Sequence, residues 1–120
     1  MARHAPWKGG GSDHEQIKEE GGRGMRFYQL MEFRSTAEDA VADIHRYRDL
    51  MGDQTTARRA TVCVDRDDPG LVVQIVEFDS YEEAMANSEH ETTQDEAAKI
   101  EESTGDITFR NLDVVEVVDI

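Results

Sequence analysis

The chain is short of cysteine, proline, tryptophan and positive charge, and these shortages remove whole classes of protein. Cys63 is the only cysteine in 120 residues, which excludes an intrachain disulfide and any multi-cysteine metal site. No apolar run approaches the ~20 residues of a membrane-spanning helix. The opening MARHAPWK lacks the apolar stretch of a secretory signal. Lys and Arg number 13 against 27 Asp and Glu, a formal charge of −14. Nucleic acids and anionic membranes are bound by clustered cations, so neither is expected as a partner. Neither GxGxxG nor GxxxxGKS/T occurs, and no cofactor is expected. With 38% hydrophobic and 7% aromatic residues the chain has material for one lean core, and a cytoplasmic setting is expected.

The negative charge is concentrated. Residues 1–24 and 25–66 each sum to zero, whereas 67–120 hold only Lys99 and Arg110 against sixteen acids. Carboxylates on outer helix faces keep a small domain soluble, and the same charge could dock a basic partner. Asp65-Arg66-Asp67-Asp68 begins like a calcium loop with Gly70 at the sixth position, but Val76 stands at the twelfth where a Glu is required. No metal site is expected.

Residues 1–24 carry Gly9-Gly10-Gly11, Gly21-Gly22 and Gly24 and no periodic apolar pattern. Side chains such as Trp7 and Ile17 are too few to offset the entropy of ordering the segment. His14-Glu15 opens like HExxH, yet position 18 is lysine and the zinc-protease motif fails. A flexible tail is therefore expected ahead of a domain spanning 25–120. Glu19-Glu20-Gly21-Gly22 is encoded as GAR-GAR-GGN-GGN, which can contain a GGAGG ribosome-binding element just upstream of Met25. On that reading Met25 is the natural start and the tail is translated leader; on another, Trp7 anchors a partner.

From Met25 the pattern sharpens. MRFYQLMEFR (25–34) reads as a strand, and Ser35-Thr36-Ala37-Glu38 as a capping box with Ser35 as the cap. Ala37, Ala40, Val41, Ile44, Tyr47 and Met51 then recur along one helical face, ended by Gly52. ARRATVCVDR (57–66) and LVVQIVEFD (71–79) form a hairpin across Asp67-Asp68-Pro69-Gly70. Ser80-Tyr81-Glu82-Glu83 opens a second helix. Asn87-Ser88-Glu89-His90-Glu91 interrupts it, and Thr93-Gln94-Asp95-Glu96 restarts it as a further capping box. ITFRNLDVVEVV (107–118) is the last strand.

Residues 29–38 and 74–83 repeat at a constant offset of 45, sharing Gln, Glu, Phe, Ser and Glu. Two such βαβ units predict an α+β, ferredoxin-like βαββαβ sandwich, with two helices on one face of a four-stranded antiparallel or mixed sheet. Strands 1 and 3 are expected as central, parallel neighbours. Both sheet faces are apolar: Phe27, Met31, Phe33, Val72, Val76 and Phe78 on one, Tyr28, Leu30, Val73 and Ile75 on the other. The helices cover only one of them. A homodimer packed sheet to sheet, forming a dimeric α/β barrel, is the simplest cover for the other.

Gln29 and Gln74 lie mid-strand at repeat-equivalent positions among apolar residues. Buried amides need partners. The two could bond each other or Asn111, or line a cavity and bind a ligand's carbonyl or phenol. His90, at the helix interruption, is either a general base or a loop histidine flanked by glutamates. Tyr28, on the opposite face, reads as core or dimer interface before catalytic phenol. Arg58 and Arg59 read as ion-pair partners or as attractors of an anionic ligand. Cys63 reads as a small buried apolar residue, and His45 as the edge of the first helix face.

The βαββαβ order, the two-faced sheet and Phe78, Tyr81, Asn87, Ser88, His90, Thr93 and Gln94 resemble the dimeric α/β-barrel superfamily over residues 25–118. The resemblance is nearest to antibiotic-biosynthesis-monooxygenase-like small proteins. It implies a small cavity per subunit and, in active members, cofactor-independent oxidation of an aromatic or quinol substrate. That chemistry relies on the substrate's own enolate reducing O₂, so the protein supplies deprotonation and desolvation. The haem-degrading branch needs a Trp near the cleft, and the sole Trp is Trp7. Two functions follow as expectations. One is a dimer that binds a small molecule or protein partner without catalysis. The other is a monooxygenase-like enzyme with His90 as base and Gln29, Gln74 and Asn111, with Tyr28 and Arg59 as further candidates, around an aromatic substrate.

Overall fold

The computed structural model describes residues 26–120, so the expectations for residues 1–24 lie outside the described residues. The chain runs β1 (Phe27–Arg34), α1 (Ala37–Met51), a 3₁₀ turn (Gly52–Gln54), β2 (Ala57–Val64), β3 (Leu71–Phe78), α2 (Tyr81–Ser88), α3 (Glu91–Thr104) and β4 (Thr108–Asp113). The four strands form one sheet in the order β2-β3-β1-β4, the ferredoxin-like arrangement. Every neighbouring pair is antiparallel. The expected parallel pairing of β1 with β3 is therefore corrected. The α1 crossover returns β2 parallel to β1, and the hairpin at residues 65–70 reverses the chain, so β3 enters beside β1 in the opposite sense.

The repeat is visible in the register. Leu30 faces Ile75, its own counterpart at the offset of 45, so a pseudo-twofold axis passes through that pair. Repeat-equivalent acids each find an arginine on the adjoining edge strand. Glu32 receives Arg110 of β4 at 3.2 Å, and Glu77 lies 4.0 Å from Arg59 of β2.

Helix boundaries follow their caps. Thr36, rather than Ser35, caps α1 by accepting from Asp39 N at 3.0 Å, and the Ser35 N–H bonds to Gly70 O at 2.9 Å. Gly52 ends α1 at φ +57°, with its N–H bonded to Arg48 O. Ser80 caps α2 through Glu83 N at 3.1 Å, as the sequence predicts. The third start is at His90 instead of Thr93. β4 ends at Asp113, five residues before the expected limit, with Val114 N still bonded to Arg26 O. Val115, Val117, Val118 and Ile120 are exposed.

The helices share one sheet face. Phe33, Ala40 and Val72 form one buried cluster, joined by Met31, Val62, Ile100 and Ile107. Phe27, Phe78 and Ala84 form a second, joined by Ala57, Val76, Tyr81 and Met85. The opposite face carries half-buried Tyr28, Leu30, Val73 and Ile75, with exposed Leu112 and Cys63 at its margins. Cys63 is thus no core residue: it lies on the uncovered side of edge strand β2.

Candidate functional site

Strand alternation puts Gln29, Gln74 and Asn111 on the helix-facing side of three adjacent strands. Asn111 of β4 stands opposite Gln29 of β1, and Gln29 Nε2 donates to Asn111 Oδ1 at 3.4 Å. Gln74 of β3 is one pair further on, opposite Met31 on one side and Val62 on the other. The three amides form a file across the sheet, in the seam between the two apolar clusters. Exposure falls along it: Asn111 and Gln29 are half-buried and Gln74 retains 5% of its surface. The helices cover β3 more fully than β4, where the inward-facing Phe109, Asn111 and Asp113 are only half-buried.

Gln29 and Gln74 are equivalent in the repeat, but their edge-strand neighbours are not. Gln29 has Asn111 opposite, whereas Gln74 has Val62. Among the described residues the Gln74 side chain forms no hydrogen bond. A buried primary amide with two donors and an acceptor unmet is rare and costly. Tyr81 borders the same face, its ring edge-on to Phe27 at 5.5 Å and 74°. Burial, helped by the charge of Asp113, pushes the Tyr81 phenol above its ordinary value.

The other candidates lie elsewhere. Tyr28 and Arg59 are on the uncovered face, separated by the sheet from the amides; Arg59 is exposed beside Glu77. His90 occupies the α2–α3 junction. Its Nδ1 accepts from Thr92 N at 3.1 Å, which places the ring proton on Nε2, where it donates to Gln54 Oε1 at 2.8 Å. Both ring nitrogens are engaged in holding that junction.

Two buried polar residues escaped the sequence reading of the site. Asn87, 7% exposed, donates to Tyr47 Oη at 2.8 Å and accepts from Thr55 Oγ1 and Thr56 N at 2.8 and 3.2 Å. Glu96, 5% exposed, takes Arg46 at 2.7 Å and Lys99 at 3.3 Å, one on each oxygen. Burial pushes the Glu96 carboxyl up, and the hydrogen bonds and charges of Arg46 and Lys99 outweigh it, leaving the group below its ordinary range. The signal for each was its place on an inward helical line: Asn87 three after Ala84, Glu96 four before Ile100.

No family model matches the chain, and no curated protein matches it. Solved structures do. SnoaB, a cofactor-independent oxygenase from Streptomyces nogalater, superposes with a TM-score of 0.58 at 11% identity, over 80% of this chain and 95% of its own. This chain has the fold of antibiotic-biosynthesis-monooxygenase-like proteins. Protein SO0527 from Shewanella oneidensis gives 0.61 at 13% identity, over 76% and 92%. A candidate antibiotic biosynthesis monooxygenase from Deinococcus radiodurans gives 0.62 at 13%, over 78% and 97%. Identities this low carry the shared architecture and not the chemistry. No helix among the described residues is long and apolar enough to cross a membrane.

Proposed function

We propose that this monooxygenase-fold protein is a homodimer that binds a small molecule on the helix side of its sheet. The observation that carries the reading is the amide file Asn111–Gln29–Gln74, which divides the inward face between two apolar clusters and runs from half-open to buried. Apolar walls with a few placed polar groups are what small-molecule sites are made of. The dimer is supported by the half-buried Tyr28, Leu30, Val73 and Ile75, which no element among the described residues covers.

A second reading, cofactor-independent oxygenation of an aromatic or quinol substrate, is supported by the likeness to SnoaB. It requires a base. His90 serves that role only by giving up the Thr92 and Gln54 bonds that fix its ring. Binding without catalysis is therefore the reading preferred here.

Native mass spectrometry of gently purified protein tests the proposal. A dimer carrying an adduct that leaves on denaturation supports both parts and supplies the ligand's mass. A monomer at micromolar concentration removes the dimer. Turnover of that ligand under O₂, lost in His90→Ala while binding survives, moves the assignment to the oxygenase.

A further inference from the structure

We infer that Gln74 is the specificity-determining residue of the site, and that it selects an uncharged, flat ligand bearing an adjacent hydrogen-bond donor and acceptor, as in a lactam or carboxamide. The inference rests on the small-molecule reading above. Its starting point is the broken symmetry of the repeat: Gln29 is answered by Asn111, and the equivalent Gln74 is answered by Val62. A primary amide 5% exposed, with no partner among the described residues, has an unmet Nε2–H and an unmet Oε1 on one planar group. A lactam edge meets both, its carbonyl accepting from Nε2 and its N–H donating to Oε1. Amide side chains read nucleobase edges by the same paired geometry.

Charge selects in the same direction. The inward strand positions that flank Gln74, namely Met31, Val62, Val72 and Val76, carry no cation. A carboxylate or phosphate carried to Gln74 would be buried without a counter-charge. The file crosses three strands, about 10 Å at the usual strand spacing, which is the span of a two-ring ligand.

Three probes of one outline test this on the full chain by NMR titration: 2-quinolone, a two-ring lactam; naphthalene, with no polar edge; and 2-naphthoate, an anion. The expected order is 2-quinolone over naphthalene by about tenfold, with 2-naphthoate weakest. Gln74→Met keeps the side chain's length and removes its polarity, so it should bring 2-quinolone down to the affinity of naphthalene. Its Tm should hold or rise, because an unmet buried amide has been removed. Val62→Asn gives Gln74 the partner that Gln29 has, and should also weaken 2-quinolone. If naphthalene binds as well as 2-quinolone, or both variants keep the lactam preference, the role of Gln74 is overturned and the site itself stands. A fall in Tm in Gln74→Met shows an existing partner and overturns it too. If no probe binds the wild-type protein, the small-molecule reading falls with it.

Discussion

Asn87 donates to the Tyr47 hydroxyl at 2.8 Å, and Tyr47 meets Thr93 Oγ1 at 2.7 Å, so one short chain of hydrogen bonds joins α1, α2 and α3. The Asn87 carbonyl also holds Thr55 and Thr56 at the entry to β2. Three helices and one strand thus depend on one amide that is almost fully enclosed. Asn87→Ala would strand several buried groups at once, at about 1–3 kcal/mol each when a partner is lost. The expected loss is about 2–4 kcal/mol in urea unfolding. Asn87→Asp keeps the acceptors and loses the bond to Tyr47 as donated, so it should fall between. A loss under about 0.5 kcal/mol for Asn87→Ala would place the network outside the folding cooperative unit.

The parts of the fold with local signals were legible, and the parts that depend on what lies opposite were not. The 45-residue repeat, the Ser80 cap, the Gly52 stop and the interruption near His90 all follow from side chains a few positions apart. The pairing sense of β1 and β3 depends on the hairpin turn acting at a distance. Cys63 was misplaced because strand alternation fixes a face but not whether a helix covers it. At the site, the Gln29–Asn111 pair is one of the arrangements the sequence allows, but the isolation of Gln74 needs the register that sets Val62 against it.

His90 begins α3 by accepting from Thr92 N, with Gln54 bracing the far side of the ring. His90→Ala removes the cap and should cost about 1 kcal/mol. His90→Asn restores a capping acceptor and should recover most of that in chemical denaturation. If Asn gives nothing back, the contribution of His90 lies in the Gln54 contact and not in the cap.

Three carboxylates predict the acid response. The hydrogen bond from Arg34 holds Asp68 below its ordinary range, and that from Arg58 does the same for Asp79. Glu96 is lowered as well, the pull of Arg46 and Lys99 exceeding the push of burial. A depressed carboxyl stabilises the folded state above its unfolded value, about 4 for Asp and Glu, and that contribution is lost as pH falls through the lower folded value. Urea midpoints should therefore be flat near neutrality and drop below about pH 4. Glu96→Gln removes one titrating group and should drop less steeply than the wild type. Parallel pH profiles would assign the acid loss to the other carboxylates.

Leu30 and Ile75 sit on the pseudo-twofold axis at the centre of the uncovered face, which makes them the most sensitive points of the proposed dimer. In a twofold assembly each substitution counts twice. Burying an isoleucine contributes about 1.5–3 kcal/mol, so Ile75→Glu should forfeit about 3–6 kcal/mol across two copies before the cost of burying charge is added. That weakens association by at least ~10²-fold. Val41→Glu, at an exposed position of α1, is the matched control. Sedimentation velocity at micromolar concentration should show wild type and Val41→Glu as dimers and Ile75→Glu as monomer. If Ile75→Glu remains dimeric, the copies meet through another surface, and the exposed valines after β4 become the next to substitute.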